Sequence, residues 1–130
     1  MFVGLLSKEE KDKFLSLAYH IANIDGEYSD KEKEIIDKYK RETGLEFLRK
    51  GLVASELIDY FAKKNNSLKK VILLETYGLI LSDGRIDKNE VNIFTQMEEK
   101  FEMGERTYQD IKNLMQDFKK IYDKINDIIG

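Results

Sequence analysis

The feature that most constrains the fold is a short acidic pattern that occurs twice in the chain. The segment "NIDGEYSDKEKEII" starts at residue 23, and "LSDGRIDKNEVNIF" starts at residue 81. At this offset of 58 residues, Asp25 matches Asp83 and Glu32 matches Glu90, and the apolar flanking positions match as well. The repeat indicates an internal duplication of a helix–loop–helix hairpin, which predicts two related halves.

Composition favours helices in both halves. The chain has no proline, and strong helix formers dominate it, so few residues interrupt a helical pattern. No segment shows the alternating pattern of a β-strand. A length of 130 residues suits one domain, residues 1–130. We therefore predict an all-α, single-domain bundle of about six to seven helices.

Capping residues and glycines predict where the helices begin and end. Ser7 with Glu10 has the spacing of a capping box at the start of the first helix. Gly44 is expected to end the second helix, and Ser55 to cap the third. Gly44 and Gly51 bracket the segment 45–54, the least regular part of the pattern, which has room for one short helix.

The second half contains the most apolar segment of the chain, residues 68–81, which is predicted to be a central buried helix. Gly78 lies inside this helix at a cost of about 1 kcal/mol relative to alanine, which a close helix crossing would explain. The following helix is expected to carry Val91, Phe94 and Met97 as its apolar residues and to end near Gly104.

The last predicted helix, residues 105–129, carries a wide apolar stripe with heptad spacing. We expect this stripe to pack back across the bundle, and the alternative is a dimer or partner-helix surface. Its residues are Tyr108, Ile111, Leu114, Met115, Phe118, Ile121, Tyr122, Ile125, Ile128 and Ile129.

Several classes of function are disfavoured by composition. The absence of cysteine removes disulfides and thiolate chemistry and fits the cytoplasm. A net charge of −3 offers little attraction for nucleic acid, and the basic cluster around residues 63–70 is expected to be solvated surface. We expect no secretory signal and no membrane insertion, because no apolar run approaches the roughly 18 residues of a span.

The repeated Asp-Gly hairpins have two interpretations. The glycine, the capping residue and the glutamate of each hairpin all suit the end of one helix followed by the start of the next. The aspartate before the glycine does not, because it faces the negative end of the helix dipole. A hard cation such as Ca²⁺ or Mg²⁺ would offset that charge with oxygen ligands. An EF-hand is excluded, because its first acidic positions fall on Ile21, Asn23, Leu79 and Leu81.

The segments "IANIDGEYSDKEKEII" and "LILSDGRIDKNEVNIF" carry a family resemblance. The chain resembles the tellurite-resistance TerB-like family from about residue 8 to residue 101. This resemblance implies a compact helical domain, acidic residues proposed to bind metal ions, and a role in a stress-response, phage-defence or membrane-associated complex. The metal ligands that it implies here are Asp25, Glu32, Asp83, Asp87 and Glu90.

Catalysis is not expected. The chain has no glycine-rich phosphate loop and no nucleophile elbow, and its lone histidine, His20, lacks the partners of a zinc site. Carboxylates at helix caps are expected to be too exposed for acid–base work. We predict a non-enzymatic module with a protein partner, present as a monomer or weak homodimer. The alternative is a metal-free interaction module that uses the C-terminal apolar stripe.

Overall fold

A computed structural model describes residues 2–24, 30–44, 53–81 and 88–130. These residues form one 3₁₀ turn, Val3–Leu5, and six α-helices, with no strand among them. The prediction of an all-α bundle is confirmed. The helices are α1 (Lys8–Ala22), α2 (Asp30–Thr43), α3 (Ala54–Ala62), α4 (Asn66–Leu81), α5 (Lys88–Phe101) and α6 (Glu105–Ile129).

The helix boundaries repeat with the same offset as the acidic motif. Helices α1 and α4 begin at Lys8 and Asn66, and helices α2 and α5 begin at Asp30 and Lys88. Each pair of starting residues is therefore 58 positions apart. The α1–α2 and α4–α5 segments correspond helix by helix, as the duplicated sequence predicts.

Helices α1 and α4 lie at the centre of the bundle. Helix α1 contacts α2, α3, α4 and α5, while α4 contacts α1, α3, α5 and α6. Phe14 of α1, Phe61 of α3 and Phe101 of α5 are fully buried in one hydrophobic core. Burial of such side chains contributes about 1.5–3 kcal/mol each, which explains why the apolar faces of these helices converge.

The predicted capping box at the start of α1 is confirmed. The Ser7 hydroxyl accepts a hydrogen bond from the Glu10 N–H at 3.2 Å, and the Glu10 carboxylate accepts one from the Ser7 N–H at 2.8 Å. Lys64 lies 3.3 Å from the same carboxylate and ties α1 to the end of α3. Gly44, which follows α2, has a φ of 74°, as expected for a glycine that ends a helix.

The prediction that Ser55 caps α3 is wrong. Helix α3 begins at Ala54, and its N-cap is Val53, which makes no side-chain capping bond. Ser55 therefore lies inside the first turn of the helix. Helix α4 also begins earlier than residue 68, because the Asn65 side chain accepts from the Leu68 N–H at 2.9 Å and caps it.

Gly78 lies at a close crossing of α4 and α6, as predicted. A Cβ atom at Gly78 would lie only 3.1 Å from the Cε atom of Met115.

The prediction for the apolar face of α5 is partly wrong, because Phe94 and Met97 are buried while Val91 is exposed. One residue of helix corresponds to about 100° of rotation, which turns Val91 away from the line of buried residues.

Within the described ranges, no helix is both long enough and apolar enough to cross a membrane.

The two serines give a direct test of the corrected helix boundaries. We expect Ser7→Ala to lower the free energy of unfolding by about 1 kcal/mol, because it removes the cap and opens the box. Ser55→Ala is the matched control and should change it by less than about 0.5 kcal/mol, because alanine suits a helical interior. Urea denaturation measures both. Equal losses would contradict the assigned start of α3.

Candidate functional site

The predicted metal ligands are distributed over two hairpins, of which the structure describes only the helical flanks. Asp25, Asp83 and Asp87 lie outside the described residues. Glu32 belongs to the first turn of α2, and its side chain is also outside the description. Glu90 lies in the first turn of α5 and is only 5% exposed.

Burial of Glu90 corrects the expectation that the hairpin carboxylates are exposed. Glu90 lies on the face of α5 that also carries Ile93, Phe94 and Met97, so it turns towards the core with them. It takes part in a polar or electrostatic contact there. In the part of the chain that the structure describes, no three carboxylate or histidine side chains come together. Metal binding at the hairpins therefore stays a prediction.

Sequence reasoning missed a buried polar cluster around Glu75 of α4. The Tyr39 hydroxyl donates to the Glu75 Oε2 atom at 2.8 Å, and the Phe2 N–H donates to the Oε1 atom. The cluster links α4 to α2 and to the N-terminal segment. A signal for it was present, because Glu75 is the only charged residue in the apolar run "VILLETYGLIL". A buried acid in such a run needs polar partners.

The environment of Tyr39 changes its titration. Two causes raise the pKa of Tyr39 well above its usual value of 10. Burial of the hydroxyl is the larger cause, and the nearby carboxylate of Glu75 is the second. Tyr39 also packs edge-on against Phe14, with the ring centroids 5.2 Å apart. The cluster thus combines a hydrogen bond with aromatic packing, as expected for a structural element of the core.

Part of the basic cluster near residue 64 has structural partners. Lys64 pairs with Glu10, and its ammonium lies 4.7 Å from the centroid of the Tyr60 ring. Lys69 donates to the backbone carbonyl of Phe101 at 2.8 Å, where a cation suits the C-terminal end of α5. These two lysines therefore have partners within the fold, whereas the whole basic cluster was expected to be solvated surface.

A shallow groove between α3 and α5 has a volume of about 130 Å³. Ligand pockets usually measure about 300–1,000 Å³, so this groove is small for a substrate site. Its polar lining consists of Ser55, Asp59, Gln96, Glu99 and Lys100. Lys100 and Asp59 lie 3.7 Å apart and largely exposed, which is the arrangement of an ordinary surface ion pair.

The most unusual feature of the described residues is α6. Its N-terminal half is anchored to the bundle, because Tyr108, Ile111 and Met115 are buried. Lys112 also lies 2.9 Å from a carboxylate oxygen of Glu98 on α5. In contrast, every residue from 120 to 130 is exposed.

The expectation that the whole heptad stripe packs across the bundle is therefore wrong. Helix α6 has 25 residues and a length of about 37 Å, whereas its neighbour α4 has 16 residues and a length of about 24 Å. The second half of α6 extends beyond the helices that would cover it. We call its seven uncovered apolar residues the exposed stripe: Leu114, Phe118, Ile121, Tyr122, Ile125, Ile128 and Ile129.

Charged residues border the exposed stripe in a balanced pattern. Asp117 and Lys124 are seven positions apart, so they lie on the same edge of the stripe. Lys119 and Asp123 form an ion pair of 3.0 Å on the polar side of the helix. Residues 114–130 contain three lysines and three aspartates. This half of α6 is therefore amphipathic with no net side-chain charge.

Comparisons with family models, curated proteins and solved structures return no significant match.

The Glu75 cluster gives a prediction about stability and alkaline pH. We expect Tyr39→Phe to lower the free energy of unfolding by about 1–3 kcal/mol, because a buried carboxylate loses a hydrogen-bond donor. The raised pKa of Tyr39 stabilises the fold below about pH 10, and this contribution is lost as the pH rises through the folded-state pKa. The difference between wild type and variant should therefore shrink above pH 10.

The control for this prediction is Tyr122→Phe, which removes the hydroxyl of an exposed tyrosine. It should leave both the stability and its pH dependence unchanged. Denaturant unfolding from pH 7 to pH 11 measures both variants. A constant difference across that range would contradict the role assigned to Tyr39.

The metal prediction can be tested at the hairpins themselves. If the acidic pairs bind Ca²⁺ or Mg²⁺, titration to about 1–10 mM should shift the amide resonances of Gly26 and Gly84. Asp83→Asn should abolish the shift at Gly84 and leave the shift at Gly26, because the two hairpins are separate in sequence. Two-dimensional NMR measures both. Unchanged resonances at millimolar ion would contradict metal binding.

Proposed function

We propose that this chain is a non-enzymatic helical interaction module that binds a protein along the exposed stripe of α6. The observation that supports the proposal is the stripe itself, a continuous apolar surface with helical spacing on an uncovered half-helix. Its most exposed members include Ile121 at 58% and Ile128 at 86%. Large apolar patches of this kind usually mark interaction surfaces.

The lack of packing around the second half of α6 supports the same proposal. An isolated helix shorter than about 12–15 residues is marginal in water, and most helices owe their stability to packing. The second half of α6 makes few contacts with the bundle, yet its apolar residues keep a regular heptad spacing. A partner that covers this face would supply the missing burial, as in helix-in-groove recognition.

The charge of α6 favours a protein over a lipid surface as the partner. Helices that lie on anionic membranes usually carry an excess of Lys and Arg on their polar face. Here the lysines and aspartates of residues 114–130 are equal in number. A mixed polar face is instead typical of helices that pair with other helices through flanking charges.

Two finer elements of the proposal rest on the sequence motif. The duplicated Asp-Gly hairpins are proposed to bind a divalent cation, with Asp25, Glu32, Asp83, Asp87 and Glu90 as the ligands. The TerB-like resemblance adds a stress-response or membrane-associated complex as the proposed setting. Neither element is needed for the interaction surface on α6, so each can fail without the other.

The proposal is tested by photo-crosslinking from the stripe. A photoreactive amino acid at Ile121 should form protein adducts in cells, whereas the same group at Val53 should form few. Val53 is the matched control, because it is a comparably exposed apolar residue at the N-cap of a different helix, at 53% against 58%. Adduct yield on denaturing gels gives the measurement.

A substitution at the same position provides the second arm of the test. Because Ile121 is exposed, Ile121→Glu should change the free energy of unfolding by less than about 0.5 kcal/mol. It should nevertheless abolish stripe-dependent adducts formed from a photoreactive group at Phe118. Unfolding of Ile121→Glu would show that the stripe is core, and equal adduct yields from Ile121 and Val53 would contradict the proposed surface.

A further inference from the structure

We propose that the exposed stripe of α6 binds α6 of a second copy of this chain, in an antiparallel coiled coil. This inference rests on the proposed function, because it assumes that the stripe is a protein-binding surface. It adds the identity of the partner and the relative direction of the two helices.

The apolar spacing matches itself when the helix is reversed. If the two helices cross between residues 119 and 120, Phe118 faces Ile121 of the second copy. In the same register, Leu114 faces Ile125 of the second copy. Two-fold symmetry repeats both layers, so four consecutive layers contain only exposed apolar side chains.

The register also limits how far the contact extends. Ile128 of the second copy comes to the level of Ile111, where α6 already packs on its own bundle. The overlap therefore ends where each helix is anchored. It uses the uncovered half of α6 in both copies and leaves the six-helix core of each copy intact.

The bordering charges distinguish the antiparallel from the parallel arrangement. In the antiparallel register, Asp117 on the edge of one stripe lies diagonally across from Lys124 of the second copy, about 3 Å apart along the helix axis, and symmetry makes this pair twice. In a parallel pair, Asp117 would instead face Tyr122, and Lys124 would face Ile129. Only the antiparallel arrangement pairs opposite charges at these positions.

Both of these charges are available for a partner. Within residues 2–24, 30–44, 53–81 and 88–130, neither Asp117 nor Lys124 forms an ion pair. Lys119, in contrast, already pairs with Asp123 on the polar side of the helix. The charges that border the stripe are thus free, while those remote from it include a pair within the same helix.

The area of the stripe suits a weak dimer. At roughly 100 Å² of exposed surface for each large apolar side chain, the stripe residues within the overlap offer on the order of 500 Å². These residues are Leu114, Phe118, Ile121, Tyr122 and Ile125. A standard interface buries about 800 Å² on each partner, so the contact lies at the small end of the specific class. We therefore expect a dissociation constant in the micromolar range, from about 1 to 100 μM.

Sedimentation equilibrium with charge reversal tests the register. Wild type should show a reversible monomer–dimer equilibrium, and Asp117→Lys and Lys124→Asp should each weaken it about tenfold, because like charges then face each other twice. An equimolar mixture of the two variants should restore wild-type affinity as a heterodimer. Lys120→Asp is the control, since it changes a charge away from the stripe.

Disulfide trapping tests the direction of the helices, because the chain contains no native cysteine. Leu114→Cys and Ile125→Cys should not form dimers efficiently when each is oxidised alone. A mixture of the two should form a crosslinked heterodimer, since these positions face each other in the antiparallel register. Efficient crosslinking of each variant to itself would show a parallel pair and overturn the proposal.

Other outcomes separate this inference from the proposed function. A monomer at about 1 mM protein would overturn self-association. If Ile121 then still crosslinks to a different protein in cells, the stripe remains a protein-binding surface with another partner. Stripe-dependent co-sedimentation with phosphatidylglycerol vesicles, without protein adducts, would overturn both proposals. Restoration of affinity in the charge-reversed mixture, together with the mixed disulfide, would support the antiparallel dimer.

Discussion

The contact between α4 and α6 determines which half of α6 is buried against the bundle and which half is exposed. At Gly78 the side chain of Met115 packs against α4, and a Cβ atom added there would lie 3.1 Å from the Cε atom of Met115. This crossing fixes the N-terminal half of α6 on the most buried helix of the bundle. Because α6 is longer than its neighbours, anchoring one end necessarily carries the other end beyond them. The exposed stripe is a consequence of this geometry.

The duplicated hairpin explains why the two halves share helix boundaries. The residues at equivalent positions nevertheless differ in polarity at one buried contact. At the offset of 58 residues, Glu75 corresponds to Leu17, and Tyr39 corresponds to Met97. All four side chains are buried. The hydrogen-bonded pair joins α2 of the first half to α4 of the second half, whereas both equivalent positions, in α1 and α5, are apolar. A buried polar pair of this kind adds directional constraints that apolar contacts lack. It gives α2 and the N-terminal segment a specific attachment to α4.

Local signals in the sequence were reliable where the structure depends only on nearby residues. The capping box of Ser7 and Glu10 formed as predicted, because both of its hydrogen bonds join residues three positions apart. Ser55 has the same preference for a cap, but the N-cap of α3 is Val53, two residues earlier. Burial of Leu57, Ile58 and Phe61 keeps α3 in place without a side-chain cap. Capping contributes about 1 kcal/mol, which is less than the burial of one such side chain.

The sequence by itself determined the helical class, the duplication and the apolar face of each long helix, because these depend on periodicity and on local hydrogen bonds. It also placed the Asp-Gly motifs that motivate the metal prediction. Only the tertiary structure decided which apolar faces are covered. Ile111 and Ile121 belong to the same heptad stripe, yet the first is buried and the second exposed. A heptad pattern indicates that one face of a helix is apolar. Whether that face is buried depends on the lengths and positions of the other helices.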